Sequence, residues 1–165
     1  MSKEIDISAR PPMIRLLSAV FDRFSDELFE RLADSPYNDV RPGHGCVFGN
    51  IEPDGMRLTE LAERARMTKQ SVGEMTSDLE RRGYLERAPD PGDGRAKIIR
   101  LTERGCAAQA YGREVIDELE REWGERYGAE RIAALRDALE VIAGDDLTWW
   151  PVAGPSVVGA AGAGA

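Results

Sequence analysis

After Pro11-Pro12, apolar side chains fall at Ile14, Leu17, Phe21, Phe24, Leu28 and Leu32. Spacings of three and four place them on one stripe of a helix about twenty residues long. Either proline suits the first turn of that helix, where no intrahelical N–H is needed. Pro36, Pro42, Gly43 and Gly45 then break the pattern. A short helix is expected over Gly45–Ile51, and the EPDG of 52–55 reads as a turn.

Two short amphipathic segments come next. Thr59 is placed to cap the first, LAERA, with Glu60 in its opening turn. Thr68 caps the second, KQSVGEMTSDLERR, in which Val72, Met75 and Leu79 form the inner face. Gly83 follows Arg81 and Arg82, as a helix end prefers. Tyr84–Arg87 and Ala96–Leu101 then read as hairpin strands around a loop of Pro, Asp and Gly. Thr102 opens a long acidic helix reaching Tyr127, with Tyr111, Val115, Leu119 and Trp123 along one side. A last helix carries Ile132, Leu135, Leu139 and Ile142, and no internal repeat is visible.

Two helices joined by a tight turn and followed by a hairpin describe a winged helix-turn-helix. The second helix leaves Lys69, Gln70, Ser71, Gly73, Glu74 and Ser77 outside. Lys and Gln suit purine edges, Ser suits base edges or phosphate, and Gly73 lets a backbone come close. Glu74 and Asp78 repel phosphate unless they run along the groove or pair with arginine. The loop PDPGDG makes a turn unaided, so Arg95 at its end calls for another reason. A narrow minor groove attracts a guanidinium, and Asp93 is placed to pair with it and fix its direction. Lys97 and Arg100 are candidates for phosphate contacts.

Charge sharpens this picture. The 165 residues carry a formal net charge of −8, yet residues 56–100 hold 10 basic against 8 acidic side chains. The segments before and after carry −4 and −6, so an anion is drawn to the middle of the chain. Hydrophobic content of 42% and charged content of 32% fit one soluble globular domain or two lobes sharing a core.

The run MRLTELAERARMTKQSVGEMTSDLERRGYLERAPDPGDGRAKIIRLTERG resembles the DNA-binding lobe of the multiple-antibiotic-resistance regulator (MarR) family. Asp93-Gly94-Arg95 matches that family's Asp-x-Arg wing element, and Leu101-Thr102 with Gly105 matches its LT-x-x-G helix start. Arg66 stands where many helix-turn-helix turns place glycine, a position that favours positive φ. The resemblance implies a mainly α fold with a small β-hairpin wing, divided into two lobes. Residues 37–101 form the winged helix-turn-helix lobe, residues 10–35 and 102–144 a helical dimerisation lobe, and residues 145–165 a Gly/Ala-rich tail. It implies a homodimer that binds a pseudo-palindromic operator in double-stranded DNA, most often as a repressor. Release by a small aromatic or amphipathic effector is implied too. DNA contacts are expected from Arg66, Thr68, Lys69, Gln70, Ser71, Gly73, Glu74, Ser77, Asp93, Arg95 and Lys97. An effector cleft is sought between the first helix, the 37–48 segment and the long acidic helix, lined by Phe21, Phe24, Tyr37, His44, Val47 and Tyr111. Core and dimer packing of these aromatics is the ordinary alternative.

Other chemistries find little support. A single histidine beside Cys46, without further ligands at suitable spacing, gives no metal site. Neither a Ser-His-Asp order nor a Gly-rich phosphate loop is present, so no enzyme and no cofactor are expected. Cys46 and Cys106 read as free thiols in a reducing compartment, either small buried hydrophobes or oxidant sensors. The N-terminus lacks a secretory pattern, which places the protein in the cytoplasm. The uncharged stretch 147–165 carries Pro151, Pro155 and several glycines, so it reads as a flexible tail with Trp149 and Trp150 tucked against the body, not as a membrane anchor. A protein-interaction or architectural DNA-binding module on the same scaffold, without effector response, is the alternative function.

Overall fold

The computed structural model describes residues 10–52 and 54–144. The chain runs α1 (Met13–Ala33), a 3₁₀ turn (Pro42–His44), α2 (Gly45–Phe48), α3 (Leu58–Arg64), α4 (Lys69–Arg81), β1 (Leu85–Asp90), β2 (Asp93–Leu101), α5 (Glu103–Tyr127) and α6 (Ala129–Ala143). The fold is therefore mainly helical with a two-stranded antiparallel hairpin. Trp149, Trp150 and the tail lie outside the described residues, as does Pro53 of the EPDG stretch.

Four local expectations change. α3 begins at Leu58, and the Glu60 carboxylate reaches back to accept the Arg57 backbone N–H at 3.1 Å. Glutamate three residues in thus satisfies the helix start, and Thr59 lies inside the helix, exposed. The short helix expected over 45–51 ends early, as the four-residue α2, and is preceded by a 3₁₀ turn that Pro42 opens. The hairpin strands are longer than expected, since Pro89 pairs with Lys97 and the ladder is irregular only between Pro89 and Asp90. Proline is tolerated there because the hairpin has only edge strands. Cys106 is exposed on α5, so it is no buried hydrophobe.

One core serves the middle of the chain. Val47, Ile51, Leu61, Val72, Leu79 and Tyr84 are fully covered, and Leu85, Ile99, Leu101 and Ala108 close around them. The segment before α3 is tied to β2 by a reciprocal pair, Met56 N–H to the Ile99 carbonyl at 2.9 Å and Ile99 N–H to the Met56 carbonyl at 2.8 Å. α4 ends as its sequence predicts, with Gly83 at φ +78°.

The Leu101-Thr102-x-x-Gly105 element is the dock between hairpin and α5. Thr102 caps α5 by accepting the Gly105 N–H at 3.1 Å, while its hydroxyl donates to the Gly83 carbonyl at 2.6 Å. A Cβ at position 105 would meet the Tyr84 carbonyl oxygen at 2.0 Å. Only glycine allows α5 to start against the end of α4.

A second packed group is made of α1, α5 and α6. The Trp123 indole N–H donates to Glu27 at 3.0 Å, its ring meets Phe24 edge-on at 5.1 Å, and Arg31 pairs with Glu122 at 2.6 Å. The apolar stripe of α1 is covered only toward its end, where Leu32 is buried. Ile14 and Phe21 are each 71% exposed, and no residue of α6 is buried, with Val141 83% exposed. Among the described residues, no helix is long and apolar enough to cross a membrane.

Candidate nucleic-acid interface

α3 and α4 meet through a turn in which Arg66 adopts φ +51°, the left-handed conformation expected of that position. Thr68 then caps α4 by accepting the Ser71 N–H at 3.1 Å. α4 presents two faces. Val72, Thr76 and Leu79 are buried against the core, while Lys69, Gln70 and Glu74 are exposed and Ser71, Gly73 and Ser77 are half-exposed between them. An open hollow of about 480 Å³ runs beside this outer face, lined by Gln70, Gly73, Glu74, Ser77, Arg81 and, from β1, Arg87.

The two acidic residues of α4 part company. Asp78 turns toward Arg82 at 2.8 Å and Arg81 at 2.7 Å, and these cations hold its carboxyl well below the usual carboxylate range. Glu74 instead accepts from the Gln70 amide nitrogen at 3.2 Å. A second network lies beyond the end of α4: Tyr84 donates to Asp39, and Arg104 reaches both the Tyr84 hydroxyl at 2.9 Å and Asp39 at 3.3 Å.

In the hairpin, Arg95 and Lys97 are exposed on β2. Asp93 accepts the backbone N–H of Arg95 at 3.1 Å, so it shapes the turn and not the guanidinium. Its carboxylate faces Arg57 at 3.6 Å. Arg57, at the start of α3, grips Asp90 at 2.6 Å, and Asp90 also accepts the Gly92 N–H at 2.8 Å. That backbone contact and Arg57 together lower the Asp90 carboxyl. The wing tip is thus clamped to the helix-turn-helix. Arg100 is engaged by Glu86 at 2.6 Å.

Residues 39–96 match the model of the MarR family. The transcriptional regulator HosA of Escherichia coli O111:H- is 28% identical over 91 residues, covering 55% of this chain and 67% of that protein. The reduced form of MarR from E. coli superposes with a TM-score of 0.71 at 23% identity, over 82% of this chain and 98% of that one. Streptococcus pneumoniae FabT, solved in complex with DNA, gives a TM-score of 0.65 at 18% identity, over 79% and 92%. The winged helix-turn-helix segment of this chain is thus similar to the MarR family, and the fold is MarR-like. Its helix-turn-helix and hairpin have the arrangement seen in those regulators.

Between α1, the 37–48 segment and α5 lies a small apolar cavity of about 90 Å³. Leu28, Phe29 and Leu32 of α1 face Tyr37, Val40 and Phe48, with Ala108, Gln109 and Ile116 of α5 behind them. Of the residues expected to line a cleft, Tyr37 alone does so. Tyr111 touches the Tyr37 ring at 5.4 Å without lining the cavity. Phe24 borders a different groove, between α1, α5 and α6, and Phe21 points outward on the uncovered stripe. Val47 is fully buried in the winged-helix core. His44 is also buried there, because it has a structural task. Its Nδ1 accepts the Arg41 N–H at 3.1 Å, so its Nε2–H is free to donate to Asp78 at 3.1 Å. Burial lowers its pKa against the pull of Asp78, which keeps the ring neutral although it sits beside a carboxylate. Sequence reasoning missed Phe29 because it falls off the α1 stripe, and Leu28 and Leu32 because periodicity cannot separate a cavity wall from a core contact.

Cys46 is half-buried, donates to the Gly43 carbonyl at 3.0 Å and lies 3.3 Å from the Met75 sulfur. Burial pushes its thiol pKa up, against the thiolate that an oxidant sensor needs. Among the described residues, no group of three His, Cys, Asp or Glu side chains is placed to hold a metal.

Proposed function

We propose that this chain is a homodimeric, cytoplasmic repressor that binds a pseudo-palindromic operator and is released by a small apolar or aromatic effector. The division of α4 into a buried apolar face and an exposed polar face carries the reading. A helix of this kind, capped at its start and packed against the core, suits insertion into the major groove. Arg66, Thr68, Lys69, Gln70, Ser71, Gly73, Glu74 and Ser77 would face the groove or its phosphates. Arg95 would enter the adjoining minor groove, and Lys97 would meet the backbone beside it. Asp93 would contribute by setting the turn. The uncovered faces of α1 and α6 supply the surface for a second copy. The cavity between α1 and α5 is the effector site this reading favours, with Tyr37 at its wall. An effector there would favour a spacing of the two α4 helices that no longer matches adjacent major grooves.

Footprinting on the DNA upstream of the protein's own coding sequence tests this. The reading expects two protected half-sites related by a dyad, resistant to competitor DNA. Protection without sequence preference, vanishing with modest salt, would favour an architectural role instead.

A further inference from the structure

Glu74 is an awkward residue to present to a polyanion. Asp78, one turn later, is neutralised by two arginines and a histidine contact, whereas the partner Glu74 has is an uncharged amide. Both Glu74 and Gln70 are exposed and both line the hollow beside α4. We propose that Glu74, with Gln70 fixed beside it, is the residue that selects the operator sequence, and that the base it selects is cytosine. This deepens the DNA-binding reading and rests on it.

The chemistry follows from donors and acceptors. An ionised carboxylate only accepts hydrogen bonds, so Gln70 must turn its nitrogen toward Glu74. That leaves the Gln70 carbonyl oxygen and the second Glu74 oxygen, both acceptors, for a base edge. Guanine offers O6 and N7 in the major groove and thymine offers O4, all acceptors that a carboxylate repels. Adenine sets its N6 donor next to the N7 acceptor. Cytosine alone presents an amino donor, N4, without an acceptor of its own. The neighbouring positions leave room for such an approach: Gly73 has no side chain and Ser77 a short one. The carboxylate also weakens binding wherever no cytosine answers it, because its desolvation and its repulsion of phosphate then go uncompensated.

The test is selection from duplexes with randomised half-sites, using the full chain and its Glu74→Gln and Glu74→Ala variants, each first checked for an unchanged thermal melt. The wild type should enrich cytosine at one position of each half-site and lose about tenfold in affinity when that cytosine becomes thymine. Glu74→Ala should bind both duplexes within about twofold of each other, and Glu74→Gln should move the preference to adenine, which glutamine can read through N6 and N7. Enrichment of the same base by all three proteins would overturn the assignment to Glu74 while leaving DNA binding intact. Failure of the wild type to enrich any sequence would overturn the sequence-specific operator reading itself, and the proposal with it.

Discussion

Gly73 sits in the middle of α4, where glycine costs about 0.5–1 kcal/mol relative to alanine. Nothing in the fold demands it. A Cβ there would find its nearest neighbour, a Leu58 methyl, at 3.8 Å, an ordinary contact. Gly73→Ala should therefore raise stability by about 0.5–1 kcal/mol while weakening operator binding, because the methyl projects into the hollow beside the bases. Thermal melting and a binding isotherm on one preparation check both halves; a variant that is more stable and binds as well as the parent would remove Gly73 from the interface. Arg95→Ala makes the opposite separation. The side chain is exposed on the wing, so the melt should hardly move. Affinity should drop by about 1–3 kcal/mol per half-site, and the salt slope by roughly one per wing. An unchanged salt slope would mean that the wing does not touch the backbone or groove.

Between α4 and the 3₁₀ turn at 42–44, the His44–Asp78 contact gives stability a pH dependence of definite sign. His44 is neutral in the fold with a pKa held below the 6.5 of a free imidazole, so the unfolded chain takes up its proton first. This contribution is complete above about pH 6.5 and is lost as pH falls from there toward the folded value. Asp39, Asp78 and Asp90, all lowered, lose theirs only as pH falls through the ordinary carboxylate range toward their lowered folded values, beneath that window. The melting temperature should fall between about pH 7 and 5.5 and fall less over that range in His44→Gln; identical slopes would show that His44 does not carry the effect. Elements were legible where local chemistry set them. The caps at Thr68 and Thr102, the stop at Gly83 and the positive φ of Arg66 all stand where the sequence placed them. Long-range contacts were not. Which carboxylate Arg57 grips and which aromatics border the cavity between α1 and α5 depend on segments far apart in the chain. No periodicity encodes them.

At the scale of the whole molecule, the apolar stripe of α1 is left largely uncovered by the rest of the chain. Its pattern announces a buried helix, yet within one chain most of it faces outward, as does the apolar side of α6. A second copy related by a two-fold axis would cover both and set two α4 helices about one DNA turn apart. That arrangement makes spacing the quantity to measure. The affinity of the purified chain should be compared on its selected operator and on the same duplex with five extra base pairs between the half-sites. Half a turn of DNA puts the second half-site on the opposite face, out of reach of a rigid dimer. The account predicts two chains per operator and a loss of at least about tenfold in affinity on the expanded site. Equal affinity for both duplexes, or saturation by one chain per duplex, would contradict it.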